Sequence, residues 1–87
     1  MRILITGVAG FIGFHIAEEL LKFHGIKIFG LDNLNNYYDT NLKNLRLKIL
    51  KKNNNFFFKK IDIVEKKKIN SFIEKNKIQI IIHLAAQ

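Results

Sequence analysis

Arg2-Ile3-Leu4-Ile5-Thr6-Gly7-Val8-Ala9-Gly10-Phe11-Ile12-Gly13 carries an apolar strand straight into three glycines spaced by three, and a second run, Lys27-Ile28-Phe29-Gly30-Leu31, ends on Asp32. Glycines placed where a strand turns into a helix let main-chain N–H groups face a pyrophosphate with no Cβ in the way. A carboxylate at the end of the next strand can accept hydrogen bonds from adenosine ribose hydroxyls and repels a 2′-phosphate. The pattern therefore predicts a dinucleotide site, with NAD preferred over NADP. The glycine triplet alone would mark only a tight turn. Its context gives it weight: a strand before it, a helix after it with Ile12, Ile16, Leu20 and Phe23 expected on one buried stripe, and Gly25 expected as the C-cap.

Beyond Asp32 the stretch Asn33-Leu34-Asn35-Asn36-Tyr37-Tyr38-Asp39 is rich in turn formers and has no regular period. A second helix is expected from Asp39 or Thr40, with Leu42, Leu45, Ile49 and Leu50 inward and Lys43, Asn44, Lys48 and Lys51 outward, until Asn53-Asn54-Asn55 breaks it. Phe56-Phe57-Phe58-Lys59-Lys60-Ile61 reads as a third strand ending at Asp62-Ile63. A third helix then runs from Val64 or Glu65 to Lys75 with Ile69, Phe72 and Ile73 toward the sheet. The β-branched run Ile78-Gln79-Ile80-Ile81-Ile82-His83-Leu84 reads as a buried parallel strand. The resulting β-α-β-α-β-α-β order, with right-handed crossovers, predicts an α/β fold: the N-terminal half of a doubly wound parallel sheet, strand order 3-2-1-4, with helices on both faces. Ligand is expected over the carboxyl ends of the first and fourth strands, where Gly7 to Gly13 meets Leu84 to Gln87.

The chain has 87 residues, enough for one small domain at most, and its 48% hydrophobic content is that of a globular core. The net charge of +8 rests on 15 basic residues, of which only Arg2 and Arg46 are arginine. Lysines at 51–52, 59–60 and 66–68 fall on predicted element surfaces, where solvation costs little, so specific nucleic-acid binding is not expected. No apolar run is long enough to span a bilayer and the N-terminus enters a strand without a signal-peptide pattern, so the expectation is a cytosolic protein without membrane partners. There is no cysteine, and His15, His24 and His83 share no ligand spacing, so no metal site is expected. Tyr37 and Tyr38 are expected to anchor their loop. Phe56, Phe57 and Phe58 are expected in the core rather than as a stacking platform for bases.

Ile5-Thr6-Gly7-Val8-Ala9-Gly10-Phe11-Ile12-Gly13 together with His83-Leu84-Ala85-Ala86-Gln87 resembles the N-terminal part of the extended short-chain dehydrogenases/reductases, within these the NAD-dependent sugar-nucleotide epimerase/dehydratase family. Leu31-Asp32-Asn33-Leu34-Asn35-Asn36-Tyr37-Tyr38-Asp39 with Leu42-Lys43 is similar to the UDP-glucuronate 4-epimerases of that family, acting in polysaccharide biosynthesis. The resemblance covers the whole chain but about the first quarter of a full-length enzyme, so residues 1–87 would be a partial NAD-binding domain without the substrate domain. Asn36 departs from a common Asp, and Lys59 stands where an apolar strand residue is usual.

Carried over by position, the resemblance assigns Gly7, Gly10, Phe11, Ile12 and Gly13 to the pyrophosphate side of NAD. It assigns Asp32 and Asn33 to the adenosine ribose, Asp62 and Ile63 to the adenine, and Leu84, Ala85 and Ala86 to the nicotinamide-side ribose, with Gln87 at the start of the next loop. The chemistry it implies is oxidation of a sugar C4 hydroxyl by bound NAD, rotation of the ketose and return of the hydride. A tyrosine with a lysine four residues later supplies the base. Tyr37 and Tyr38 are followed at that spacing by Asn41 and Leu42, so no catalytic residue is assigned and this chain alone is expected to be inactive. In a full-length enzyme the partner would be a nucleotide sugar, with a homodimer possible. The alternatives are part of a UDP-glucose 4-epimerase or a nucleotide-sugar 4,6-dehydratase, a non-catalytic dinucleotide-binding module, and a basic nucleic-acid-binding protein.

Overall fold

The computed structural model describes residues 1–34 and 40–85. Its elements run β1 (Arg2–Thr6), α1 (Phe11–Leu20), β2 (Lys27–Asp32), α2 (Thr40–Leu50), β3 (Phe56–Lys60), α3 (Lys66–Lys75) and β4 (Ile80–His83). All pairs in the single sheet are parallel, in the order β3-β2-β1-β4. This is the predicted Rossmann-like half-sheet. Register places Ile3 opposite Ile28 and Ile80, and Thr6 opposite Leu31 and His83.

Alternation along the strands divides the core into two layers. Ile3, Ile5, Ile28 and Phe56 point to the face covered by α1 and α2, where they meet Phe14, Ala17, Leu47 and Leu50. Leu4, Phe29 and Leu31 point to the opposite face, against Ile61 and the inner side of α3 formed by Ile69, Phe72 and Ile73. Two helices on one face and the third on the other is the arrangement that right-handed crossovers produce when the chain returns past β1.

α3 turns Ile69, Phe72 and Ile73 to the sheet as expected, but the faces of α1 and α2 differ from expectation. In α1 the buried residues are Gly13, Phe14 and Ala17, Ile16 and Leu20 pack only at the margin, and Ile12 is exposed. Small residues let α1 lie close on the sheet, a contact that a search for large apolar side chains overlooks. The helix ends at Leu20 with Leu21 as its C-cap, and exposed Phe23 lies beyond it. Gly25, at φ 77°, instead serves the turn before β2, where its carbonyl accepts a 2.6 Å hydrogen bond from the N-terminal ammonium. In α2 the buried side chains are Leu47 and Leu50, while Leu42, Leu45 and Ile49 are exposed and Lys43 turns inward. Apolar residues occupy both sides of this helix, so periodicity alone could not choose between them.

The strand edges also correct the reading. Phe56 is buried and Phe58 packs at the core margin, but Phe57 is 43% exposed, its ring stacked on Phe29 at 4.9 Å. β3 ends at Lys60, one residue early, with Ile61 buried just beyond it. β4 is shorter than expected and, at the edge where the order 3-2-1-4 puts it, leaves Ile80 and Ile81 exposed rather than buried. The lysines at 51–52, 59–60 and 66–68 are all exposed. Tyr37 and Tyr38 lie outside the described residues, as do Asn35, Asn36 and Asp39. Among the described residues no helix is long and apolar enough to cross a membrane.

Gly30, in the middle of β2, has a packing reason. A Cβ there would stand 2.6 Å from Cγ1 of the fully buried Val8. Gly30→Ala should therefore cost about 1–3 kcal/mol by overpacking. Adding Val8→Ala should recover part of that loss, so that the double variant is more stable than the summed single losses by about 1 kcal/mol. Urea unfolding of the four proteins measures the cycle, and strictly additive losses would contradict the contact.

Candidate cofactor site

The carboxyl ends of β1, β2 and β4 surround the glycine turn. Gly7 adopts φ 71°, and a Cβ on it would stand 2.9 Å from the Ala85 backbone nitrogen. The first glycine is thus required both by the left-handed turn and by the approach of the chain leaving β4. A Cβ on Gly13 would collide with the Gly7 carbonyl oxygen, which is how α1 comes to start directly over the end of β1. Gly10 is the N-cap of α1 and makes no side-chain cap.

The hydrogen bonds of the turn sort its amides into two groups. Gly7 and Val8 donate to the Leu31 carbonyl at 2.8 and 3.2 Å, Gly10 donates to Gly7, and Ala9 donates to Asp32 Oδ2 at 3.0 Å. The turn itself is therefore internally satisfied. What it leaves open is the first turn of α1: among the described residues, the amides of Phe11, Ile12 and Gly13 have no acceptor, as helix geometry requires of its leading N–H groups. Phe11 and Ile12 are 66% and 62% exposed. All three are aligned, unpartnered donors at the positive end of a helix dipole, suited to an anion, with Phe11 and Ile12 at the surface and Gly13 buried behind them.

Asp32 faces this turn from the end of β2. Its side chain is 3% exposed; Oδ2 accepts from Ala9, and Oδ1 accepts from Leu34 N–H at 2.8 Å and from Lys43 Nζ at 3.3 Å. A carboxylate offers about four acceptor positions, so among the described residues one remains, on Oδ2. Leu34 holds a left-handed φ of 56° to make its contact. The carboxylate thus fastens β2 to the glycine turn while keeping one acceptor position.

α2 supplies two cations that the sequence reading missed. Lys43, 15% exposed, pairs with Asp32, and Arg46 Nη1 donates to the Ala9 carbonyl at 3.0 Å with its guanidinium 5.9 Å from the Phe11 ring centroid. A signal was present: they stand three apart, on one side of a helix, and Arg46 is one of just two arginines in a lysine-rich chain. Arg46 places positive charge beside the start of α1, and Lys43 places it on Asp32.

On the far side of Asp32, Asn33 Nδ2 donates to Asp62 Oδ2 at 3.3 Å. Asp62 is held by a reciprocal bracket: its Oδ1 accepts from Val64 N–H at 3.1 Å, and its own N–H donates to Glu65 Oε1 at 3.0 Å. Asp-x-x-Glu ahead of a helix is the pattern that makes such a bracket. The Lys68 ammonium, 2.7 Å from Glu65 Oε2, and the Asp62 amide hold the Glu65 carboxyl below its usual range. Its contribution is in place above the ordinary carboxylate range and is lost as acid protonates Glu65. Ile63 follows Asp62, half-buried and lining the groove beneath α3.

The structure thus gathers Gly7, Gly10, Phe11, Ile12, Gly13, Asp32, Asn33 and Asp62 around one end of the sheet, with Leu84 and Ala85 beside Gly7. Ala86 and Gln87 lie outside the described residues. Of the other histidines, His15 packs edge-on to Phe11 and Phe14 and approaches Glu18 at 3.7 Å.

Lys43→Met should leave the buried Asp32 carboxylate short of its counter-charge. Since two amides still hold Asp32, a loss of about 2–3 kcal/mol is expected rather than the full cost of an orphaned charge. Asp32→Asn should cost less in the Lys43→Met background than alone, read by thermal or urea unfolding. Equal costs in both backgrounds would show that the pair does not couple.

The chain spans about a quarter of the length of the relatives it matches. It is 49% identical over 84 residues to the UDP-glucuronate 4-epimerase of Thermodesulfobacterium geofontis, covering 97% of this chain and 26% of that protein. Its fold superposes on the UDP-glucuronic acid 4-epimerase of Bacillus cereus, solved with UDP-glucuronic acid and NAD, with a TM-score of 0.88 at 34% identity, covering 99% of this chain and 26% of that one. It also superposes on the dTDP-glucose 4,6-dehydratase of Bacillus anthracis in complex with NAD, with a TM-score of 0.86 at 30% identity, covering 100% and 27%. With residues 4–87 matching the family described as GDP-mannose 4,6 dehydratase, the chain belongs to that family of nucleotide-sugar enzymes.

Proposed function

We propose that this chain is the NAD-binding part of a nucleotide-sugar 4-epimerase of the UDP-glucuronate 4-epimerase type. The observation that carries the reading is the placement of three unpartnered first-turn amides beside Asp32, which is bound to the turn and keeps one acceptor position. In this reading Phe11, Ile12 and Gly13 offer amides to the pyrophosphate, and Gly7 and Gly10 shape the approach. Asp32 and Asn33 take the adenosine ribose, Asp62 and Ile63 border the adenine, and Leu84, Ala85 and Ala86 line the nicotinamide-side ribose. Arg46 adds positive charge at the phosphates, and Lys43 steadies Asp32 on the ribose side. NAD supplies the hydride acceptor for a sugar hydroxyl, and these residues bind and orient it.

The base is not among these residues. Tyr-x-x-x-Lys occurs nowhere in the 87 positions, so epimerisation, the nucleotide-sugar substrate and any homodimer belong to a longer protein carrying this sequence as a partial domain. Two features support an epimerase over a dehydratase: the identity to a UDP-glucuronate 4-epimerase, and Asp32-Asn33-Leu34-Asn35-Asn36-Tyr37-Tyr38. A cytosolic setting and a part in polysaccharide building go with the same proposal.

Calorimetric titration tests the cofactor assignment. NAD should bind more tightly than NADP by about tenfold or more, equivalent to about 1.4 kcal/mol; the Lys43 ammonium softens the repulsion of a 2′-phosphate without removing it. Asp32→Ala should weaken NAD and narrow the ratio. Equal affinity for the two cofactors in the parent chain would overturn the ribose assignment. The purified 87-residue chain should show no turnover of UDP-glucuronic acid with NAD present, and measurable epimerisation would overturn the assignment of the base to a longer protein.

A further inference from the structure

His83 and Thr6 sit opposite each other at the ends of β4 and β1, and their hydrogen bonds can be counted completely. Thr6 is buried, and its Oγ1 accepts from Leu84 N–H at 3.0 Å and from Ala85 N–H at 3.2 Å. Leu84 N–H also approaches the Thr6 carbonyl at 3.2 Å. A hydroxyl has two lone pairs and one proton. Both lone pairs are engaged by the two amides, so the proton goes to the remaining neighbour, His83 Nδ1 at 2.7 Å. His83 Nδ1 must then be a bare acceptor, with the ring proton on Nε2.

We propose that His83 is a positioning residue for the cofactor site: as the neutral Nε2–H tautomer it takes the Thr6 hydroxyl proton, and Thr6 in turn holds the Leu84–Ala85 turn against Gly7. The proposal rests on the NAD reading above. The turn matters because the Ala85 nitrogen is the atom nearest to where a Gly7 Cβ would stand, so it sets one wall of the glycine turn. An imidazolium would present N–H at Nδ1 to an oxygen whose lone pairs are already taken. It would displace one of the two amides and leave the hydroxyl proton without an acceptor. The turn would therefore loosen when His83 gains a proton.

The surroundings add no counter-charge for such a cation. His83 and Thr6 line a groove of about 250 Å³ between β4 and α3 whose one charged member is Lys66 of α3, with Asn70 beside it. The remaining lining from β1, β4 and the segment before α3 is apolar, through Leu4, Ile81 and Ile63, and no carboxylate among the described residues joins it.

Two measurements on the 87-residue chain test this. The nitrogen NMR spectrum of the His83 imidazole at about pH 8 should show the Nε2–H tautomer, and the Nδ1–H tautomer would overturn the proposal without reference to any ligand. NAD affinity is then measured at about pH 8 and about pH 5.5, across the range in which imidazoles change charge. The parent chain should lose about three- to tenfold on acidification, the scale of one hydrogen bond. His83→Asn places an amide oxygen where Nδ1 stood, so it should bind within about twofold of the parent at pH 8 and lose the pH step. His83→Phe should be weaker by about three- to tenfold at pH 8, also without a step. A step that persists in His83→Asn, or a parent chain with no step, would overturn the proposal. Absence of NAD binding by all three proteins at pH 8 would instead overturn the NAD reading, with the tautomer still decided by the spectrum.

Discussion

The close passage of α1 over the end of β1, at Gly13 and the Gly7 carbonyl, governs the rest of the site. No side chain fits between them, so the helix begins where the strand stops and its first amides emerge at the edge of the sheet. A bulkier residue at either position would push the helix outward, and its leading N–H groups would lose the direction that makes them useful to an anion. The turn is then fixed from both sides. Asp32 accepts from Ala9, Gly7 and Val8 donate to Leu31, and the chain leaving β4 closes against Gly7.

Asp32 works on the structure and the site together. It ties β2 to the glycine turn, orders Leu34 and receives Lys43 from α2, so the acceptor expected to meet a ribose is held by three donors before any ligand arrives. Preorganisation of this kind lowers the ordering cost of binding. The Glu65–Asp62–Asn33 chain extends the same scaffold along the carboxyl ends of β2 and β3. The family relationship and the likeness to NAD-bound epimerase and dehydratase structures agree with a scaffold built for one dinucleotide.

The strands and their order were legible because β-branched and aromatic runs, separated by helical spacing, leave few topologies once crossovers are right-handed. The glycine turn and Asp32 were legible because their residue types are dictated by local geometry. The α3 face was legible too, its Ile69, Phe72 and Ile73 falling on one stripe, but the faces of α1 and α2 were not. α1 buries Gly13 and Ala17, which carry little apolar weight, and α2 bears leucines on both sides, so its orientation depends on where Arg46 and Lys43 reach. Lys43 is expected on the outer face and Arg46 has no role in the sequence reading, because their partners, Asp32 and Ala9, are distant in sequence. The order 3-2-1-4 already put β3 and β4 at the edges, but an apolar run does not reveal which of its side chains an edge strand leaves uncovered, so Phe57, Ile80 and Ile81 read as interior.

The most direct measurement is an amide NMR titration of the chain with NAD. The account predicts that the Phe11, Ile12 and Gly13 amides shift most and move downfield as they gain an acceptor, while the Gly7, Val8 and Ala9 amides, already bonded within the turn, move little. Saturable binding that leaves the first turn of α1 unperturbed would contradict it.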